Sequence, residues 1–283
     1  VTSARLIAVD LDGTLLDPRG QAHARDVQAL RLAIDQGVRV SIVTGRLYSG
    51  TRPTAELLGL RGPVGCADGS HVVRAESHTT LFHRGVGGAE VGLLRDALAR
   101  AGVITFVFAE DAIGHDAAGA AFVEYATTWS TDLRKVADVF EHPLWATEGG
   151  VTAVIALGPL DRLTPALDEI ARDLSTAAIV AKFPVRRHAH TGTWAAIVRA
   201  AGATKGTALR WIAEHHGVSL ADTVCVGDWM NDVPMFELAG RSFVMGQAPD
   251  DVKAKATDVL VETVENGGGV ARAVEEAFGI AQT

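Results

Sequence analysis

The chain has 283 residues, 48% hydrophobic and 21% charged, a composition that excludes a disordered chain and a length that accommodates two domains with separate cores. Lys+Arg 26 against Asp+Glu 34 gives a formal net charge of -8, so the average surface repels nucleic acid and anionic membrane, and any anionic substrate must be met by locally placed cations. No apolar run reaches membrane-spanning length, no leader pattern opens the sequence, and Cys66 and Cys225 sit in apolar runs as small core residues, so a soluble cytoplasmic protein is expected.

LIAVDLD at 6–12 is a short apolar run ending in carboxylates, as a strand buried on both faces of a parallel sheet reads. Val27, Leu30 and Ile34 then recur at helical spacing over 23–36, with Gly37 as the stop. VRVSIVTG follows as a second buried strand, a helix is predicted over 51–58, and a short third strand over 64–67. This β-α-β-α-β order implies a doubly wound α/β sheet. The same alternation returns late, with KGTALRWIAEHHGV as a helix and DTVCVGD, RSFVMG and TDVLVE as strands. Between the halves lie predicted helices over 89–101 and 163–174 and strands at ITFVFA, VTAVIALG and AAIVAKF; the stretch 110–145 shows no clear period. The expected organisation is a discontinuous Rossmann-like core, 1–83 and 199–283, with an inserted α/β cap over 84–198.

Four motifs carry chemistry. Asp10 and Asp12 are two apart, so an extended backbone points both carboxylates into one pocket, where they repel unless a cation or proton intervenes. Thr44-Gly45-Arg46 ends the next strand on the same carboxyl edge and offers hydroxyl and N–H donors. Lys205 opens a helix, where ammonium and backbone N–H groups together offset phosphate charge. GDWMND delivers Asp228, Asn231 and Asp232 to that edge, and hard oxygen donors of this kind suit Mg²⁺. Each motif alone also reads as an ordinary loop, turn or surface lysine. Their conjunction favours one phosphate- and metal-binding pocket.

The order DLDGT, TGR, a lysine at a helix start and GDWMND resembles the haloacid dehalogenase superfamily, specifically the Cof-type (subclass IIB) phosphatases with a large α/β cap. The resemblance covers the core, and it implies a Mg²⁺-dependent phosphatase of a small phosphorylated metabolite, sugar phosphates first. By position it makes Asp10 the nucleophile on phosphorus and Asp12 the acid that protonates the leaving oxygen and then activates water. It implies Mg²⁺ on Asp10, the backbone carbonyl of Asp12 and Asp228, and the phosphoryl group on Thr44, Gly45, Lys205 and Asn231. Asp232 then orients Lys205 or a metal-bound water, and Arg46 is a substrate contact or a core ion pair. A phosphomutase using the same aspartyl phosphate and a non-catalytic phosphate-binding module remain as alternatives.

Three features depart from the family pattern. Asp68-Gly69-Ser70 stands where an Asn-Gly-Ala turn is usual and adds a negative charge near the expected site, Trp229 fills a variable position of the fourth motif with a large ring, and MGQA at 245–248 carries glutamine where asparagine is common. In the cap, Arg186, Arg187, His188 and His190 form a basic edge read as a candidate substrate contact, with a solvated edge strand as the alternative. Oligomeric state has no signature in the sequence.

Overall fold

A computed structural model describes residues 5–185 and 192–280. In chain order it places β1 (Leu6–Val9), α1 (Ala24–Asp35), β2 (Arg39–Ile42), α2 (Tyr48–Leu58), β3 (Pro63–Cys66), β4 (His71–Arg74), β5 (Thr79–His83), α3 (Gly88–Ala101), β6 (Ile104–Ala109), β7 (Ala112–His115), α4 (Val123–Ala126), β8 (Leu133–Lys135), β9 (Ala153–Gly158), α5 (Leu160–Asp173), β10 (Ala178–Pro184), β11 (Trp194–Ala200), α6 (Lys205–His216), β12 (Thr223–Gly227), α7 (Val233–Phe236), β13 (Arg241–Val244), α8 (Asp250–Lys253), β14 (Asp258–Val259) and α9 (Gly269–Phe278). Two compact units result. The first comprises Val1–Arg46, Thr51–Phe82 and Thr204–Thr283; the second comprises Leu47–Gly50 and His83–Ala203. No helix of the described residues is long and apolar enough to cross a membrane.

The first unit is built on a five-stranded parallel sheet in the order β14-β13-β12-β1-β2. Alternation along β1, an interior strand, explains why it reads as continuously apolar. Leu6 and Ala8 join one cluster with Ala208, Leu209 and Ile212 of α6, while Ile7 and Val9 point to the other face and are equally buried. Helices α1 and α9 pack on each other, as do α6 and α7. Each fully buried Leu- or Ile-sized side chain contributes roughly 1.5–3 kcal/mol. The predicted third strand is β3, which meets the end of β2 through the isolated Val43–Gly65 bridge and a Ser41 Oγ hydrogen bond to the Pro63 carbonyl at 2.9 Å, and which belongs to a separate β3-β4-β5 sheet, antiparallel to β4.

The second unit has its own six-stranded sheet, order β10-β11-β9-β6-β7-β8, antiparallel except for β7 with β8. Helices α3 and α5 pack together, and α5 lies against β9, β10 and β11. Its core gathers Leu94, Leu98, Val107, Val154, Leu163 and Val198, none of them from the first unit. The stretch without a period resolves into β7, α4, β8 and three short 3₁₀ turns at 118–122, 139–141 and 143–146. Elements of three to five residues are too brief for a period to show. Arg186, Arg187, His188 and His190 lie outside the described residues.

Candidate functional site

β1 runs between β12 and β2, with Val9 opposite both Val226 and Ile42. The next residue of each strand therefore emerges at one carboxyl edge, the place where α/β sheets bind ligands. Asp10 is there, only 3% exposed, its N–H donating to the Val226 carbonyl at 3.0 Å. Lys205, 1% exposed, is delivered by the first turn of α6. That helix starts at a fixed point because Thr204 and Thr207 cap each other: Thr207 N–H donates to Thr204 Oγ1 at 3.1 Å, and Thr204 N–H to Thr207 Oγ1 at 3.0 Å.

The lysine ammonium donates to Asp10 Oδ1 and to Asp232 Oδ1, both at 2.6 Å. The other oxygen of Asp232 accepts the N–H groups of Asp228 and Trp229 at 2.8 and 2.9 Å. Asp232 thus braces both the lysine and the loop that carries Asp228. Asp228 in turn accepts the Thr14 hydroxyl at 3.2 Å. Gly13, at φ +85°, passes so close that a β-carbon would lie 2.3 Å from Asp228 Oδ2, so the D-G-T turn admits only glycine there.

Asp12 is not oriented by strand alternation as expected. β1 ends at Val9, so the two-residue alternation stops before Asp12, which sits in a turn tied by the N–H groups of Thr14, Leu15 and Leu16 to the Leu11 carbonyl. Its side chain is 53% exposed and forms a two-pronged pair with Arg46, whose Nε donates to Asp12 Oδ2 at 2.8 Å while an Nη donates to Oδ1. Of the two readings of Arg46, the structure shows an ion pair, made with Asp12 and not in the core.

Thr44 is buried. Its N–H donates to the Gly65 carbonyl at 2.9 Å and its Oγ1 accepts the Arg46 N–H at 3.2 Å. Asn231 donates from Nδ2 to Asp68 Oδ1 at 2.9 Å, and the Asp68 carboxylate also lies against Gly45. Thr14 and Asp68 were not among the predicted site residues. Thr14 is legible only as the last letter of D-G-T, and Asp68 only as a departure from a family turn. Gln247, another of the departures, bridges the Gly13 carbonyl and the Val264 N–H.

One ammonium faces an excess of carboxylates, and the proton affinities follow. Burial first, then the charges of Asp232 and Asp228, raise the Asp10 carboxyl well above its ordinary range despite Lys205. Burial and Asp232 push Asp228 up to about 7, against the lowering effects of Lys205, Thr14 and Gln247. Burial works to lower Lys205, but Asp10, Asp232 and Asp68 override it and keep the ammonium protonated. Asp10, Asp228 and Asp232 bring carboxylate oxygens within 4.8 Å of one another, the single group of this kind among the described residues. Hard oxygen donors carrying surplus negative charge fit a small divalent cation such as Mg²⁺ better than zinc, which prefers nitrogen and sulfur.

Comparison with known proteins matches residues 7–274 to a family described as haloacid dehalogenase-like hydrolase. The chain is 28% identical over 281 residues to the 5-amino-6-(5-phospho-D-ribitylamino)uracil phosphatase of Bacillus subtilis, covering 93% of this chain and 95% of that protein. It is 26% identical over 265 residues to the pyridoxal phosphate phosphatase of Escherichia coli, covering 91% and 93%. Its fold matches the crystal structure of a haloacid dehalogenase-like hydrolase from Bacteroides thetaiotaomicron with a TM-score of 0.82 at 22% identity, over 97% of this chain and 100% of that one.

Proposed function

Because the chain belongs to the haloacid dehalogenase-like hydrolases, we propose that it is a Mg²⁺-dependent phosphatase that hydrolyses a small phosphorylated metabolite through an aspartyl phosphate on Asp10. The observation that carries this reading is the buried Asp10–Lys205–Asp232 arrangement beside Asp228. It supplies a fixed carboxylate, a fixed cation and room for a second cation at one strand edge. Phosphoryl transfer asks mainly for positioning and charge stabilisation, which such a set provides.

In the proposed reaction an Asp10 oxygen attacks phosphorus and the bond to the leaving oxygen breaks, with Asp12 giving that oxygen its proton. Asp12 then takes a proton from the water that attacks the phosphoryl group, and Asp10 is released with inorganic phosphate. Lys205 holds the nucleophilic carboxylate and stays positive throughout, while Thr44, Gly45 and Asn231 direct donors at the phosphoryl oxygens. Asp10, Asp228 and the Asp12 carbonyl would hold Mg²⁺, which when bound neutralises charge on the phosphoryl and carboxylate oxygens. The Asp12 carboxylate is held by Arg46, so the ion pair and the proton transfers proposed for Asp12 share one side chain. We assign Arg186, Arg187, His188 and His190 a part in substrate selection, and the division into a catalytic core and a specificity cap to the two units.

The relatives named above act on small phosphorylated metabolites, which supports that substrate class here, with sugar phosphates tested first and pyridoxal phosphate and flavin mononucleotide next. The experiment is a screen of phosphorylated metabolites with Mg²⁺, read by phosphate release. Release from none of them would refute the proposal.

A further inference from the structure

The turn at 67–70 puts a carboxylate where the proposed phosphate site needs donors. Ala67 and Asp68 both adopt left-handed backbone conformations, φ 48° and 50°, followed by Gly69 at φ 91°. Such conformations are costly for residues with a β-carbon and persist only where the surroundings impose them. Here the Ala67 N–H donates to the Arg46 carbonyl at 2.8 Å and the Asp68 N–H to the Thr44 carbonyl at 2.9 Å. On the other side Gly69 presses on Thr204, the residue before Lys205, so closely that a β-carbon would lie 2.2 Å from its carbonyl oxygen.

The turn is therefore clamped between the Thr44–Arg46 segment and the start of α6, and the Asp68 side chain, 6% exposed, is aimed with little freedom. Its Oδ1 accepts from Asn231 Nδ2 at 2.9 Å. Its oxygens lie 3.5 and 3.7 Å from where Gly45 would carry a β-carbon, and its charge acts on Lys205. Three of the groups assigned to the phosphoryl group thus face one carboxylate. To an N–H donor, a carboxylate oxygen and a phosphoryl oxygen are alike, and to each other they are repulsive.

Resting on the phosphatase reading, we propose that Asp68 competes with phosphoryl groups for Asn231 and the Gly45 edge, weakening the hold on phosphate and speeding its release as product. Asn at this position removes the charge, keeps an oxygen for Asn231 and tolerates the left-handed conformation, so Asp68→Asn isolates the electrostatic effect. Asp68→Ala removes charge and acceptor together.

The test measures p-nitrophenyl phosphate hydrolysis with Mg²⁺, product inhibition by inorganic phosphate, and thermal unfolding for the full chain and both variants. For Asp68→Asn the inhibition constant for phosphate should fall at least about tenfold, and KM should fall with it, while kcat does not rise. Asp68→Ala should also bind phosphate more tightly than the wild type, by a smaller factor, because Asn231 loses its orienting partner. A phosphate inhibition constant within about twofold of wild type in a folded Asp68→Asn protein, or weaker phosphate binding in both variants, would leave Asp68 as a mere support for Asn231 and overturn the proposal. If the wild type neither hydrolyses an ester nor binds phosphate, the phosphatase reading fails and this inference with it. An active wild type with an unchanged Asp68→Asn variant removes this inference alone.

Discussion

Replacing Lys205 with methionine should destabilise the protein in a way that depends on pH. The ammonium is 1% exposed and sits 2.6 Å from both Asp10 and Asp232, so its removal leaves buried carboxylates without a counter-charge. Breaking a buried pair from one side costs about 3–5 kcal/mol, and at roughly 2–4 °C per kcal/mol for a unit of this size Tm should fall by about 10 °C. The sign of the pH dependence follows from the raised carboxyl groups. Asp228 stands at about 7 in the fold against an ordinary 3.8, so between those values the folded state binds more protons than the unfolded one, and stability falls as pH rises. Without the ammonium the carboxyl groups rise further and the window extends upward. The Tm difference between wild type and Lys205→Met, measured in chelator, should therefore be larger at pH 8 than at pH 5.5, and added Mg²⁺ should narrow it. A difference independent of pH, or no difference at all, would refute the reasoning.

Two further predictions concern the other carboxylates. Asp228→Ala should raise the Mg²⁺ concentration needed for half-maximal activity by more than about tenfold, chelator should abolish wild-type turnover, and Zn²⁺ should not replace Mg²⁺; a magnesium requirement like the wild type's would exclude Asp228 as a ligand. Asp12→Asn should fold normally, since its side chain is 53% exposed, yet it should accumulate phosphoenzyme with p-nitrophenyl phosphate, whose good leaving group needs little acid help while dephosphorylation still needs the base. Rapid-quench detection of phosphoenzyme checks this, and multiple turnovers at the wild-type rate would remove Asp12 from the mechanism.

What was legible in the sequence tracks how local each determinant is. The apolar run ending at Asp10, the strand before Asp228 and the helix opened by Lys205 each have a short-range signature, and the parallel sheet brings all three to one edge. Strand alternation does not reach Asp12, because β1 ends at Val9 and the chain turns there, so the orientation of Asp12 has no signature in the strand pattern. Leu47–Gly50 was unreadable for a different reason. It continues directly from Arg46, yet its partners are distant in sequence: the Leu47 N–H donates to the Trp129 carbonyl at 2.9 Å, and the Ser49 N–H to Asp111 Oδ1 at 2.9 Å. The negative charge of Asp68 near the site is legible from the family turn it replaces, but its partner Asn231 is not, and neither is the pairing of Thr14 with Asp228, since these contacts span 163 and 214 residues.

The covalent step on Asp10 is tested most directly by quenching the working enzyme with Mg²⁺ and a phosphorylated substrate, reducing it with borohydride, and mapping the peptides by mass spectrometry. An acyl phosphate on Asp10 is converted to homoserine, so the modified residue should be Asp10 alone. It should be absent without substrate and absent from Asp10→Asn, which should also be folded and inactive because an amide cannot act as the nucleophile. Turnover with no modification of Asp10, or an active Asp10→Asn protein, would contradict the mechanism.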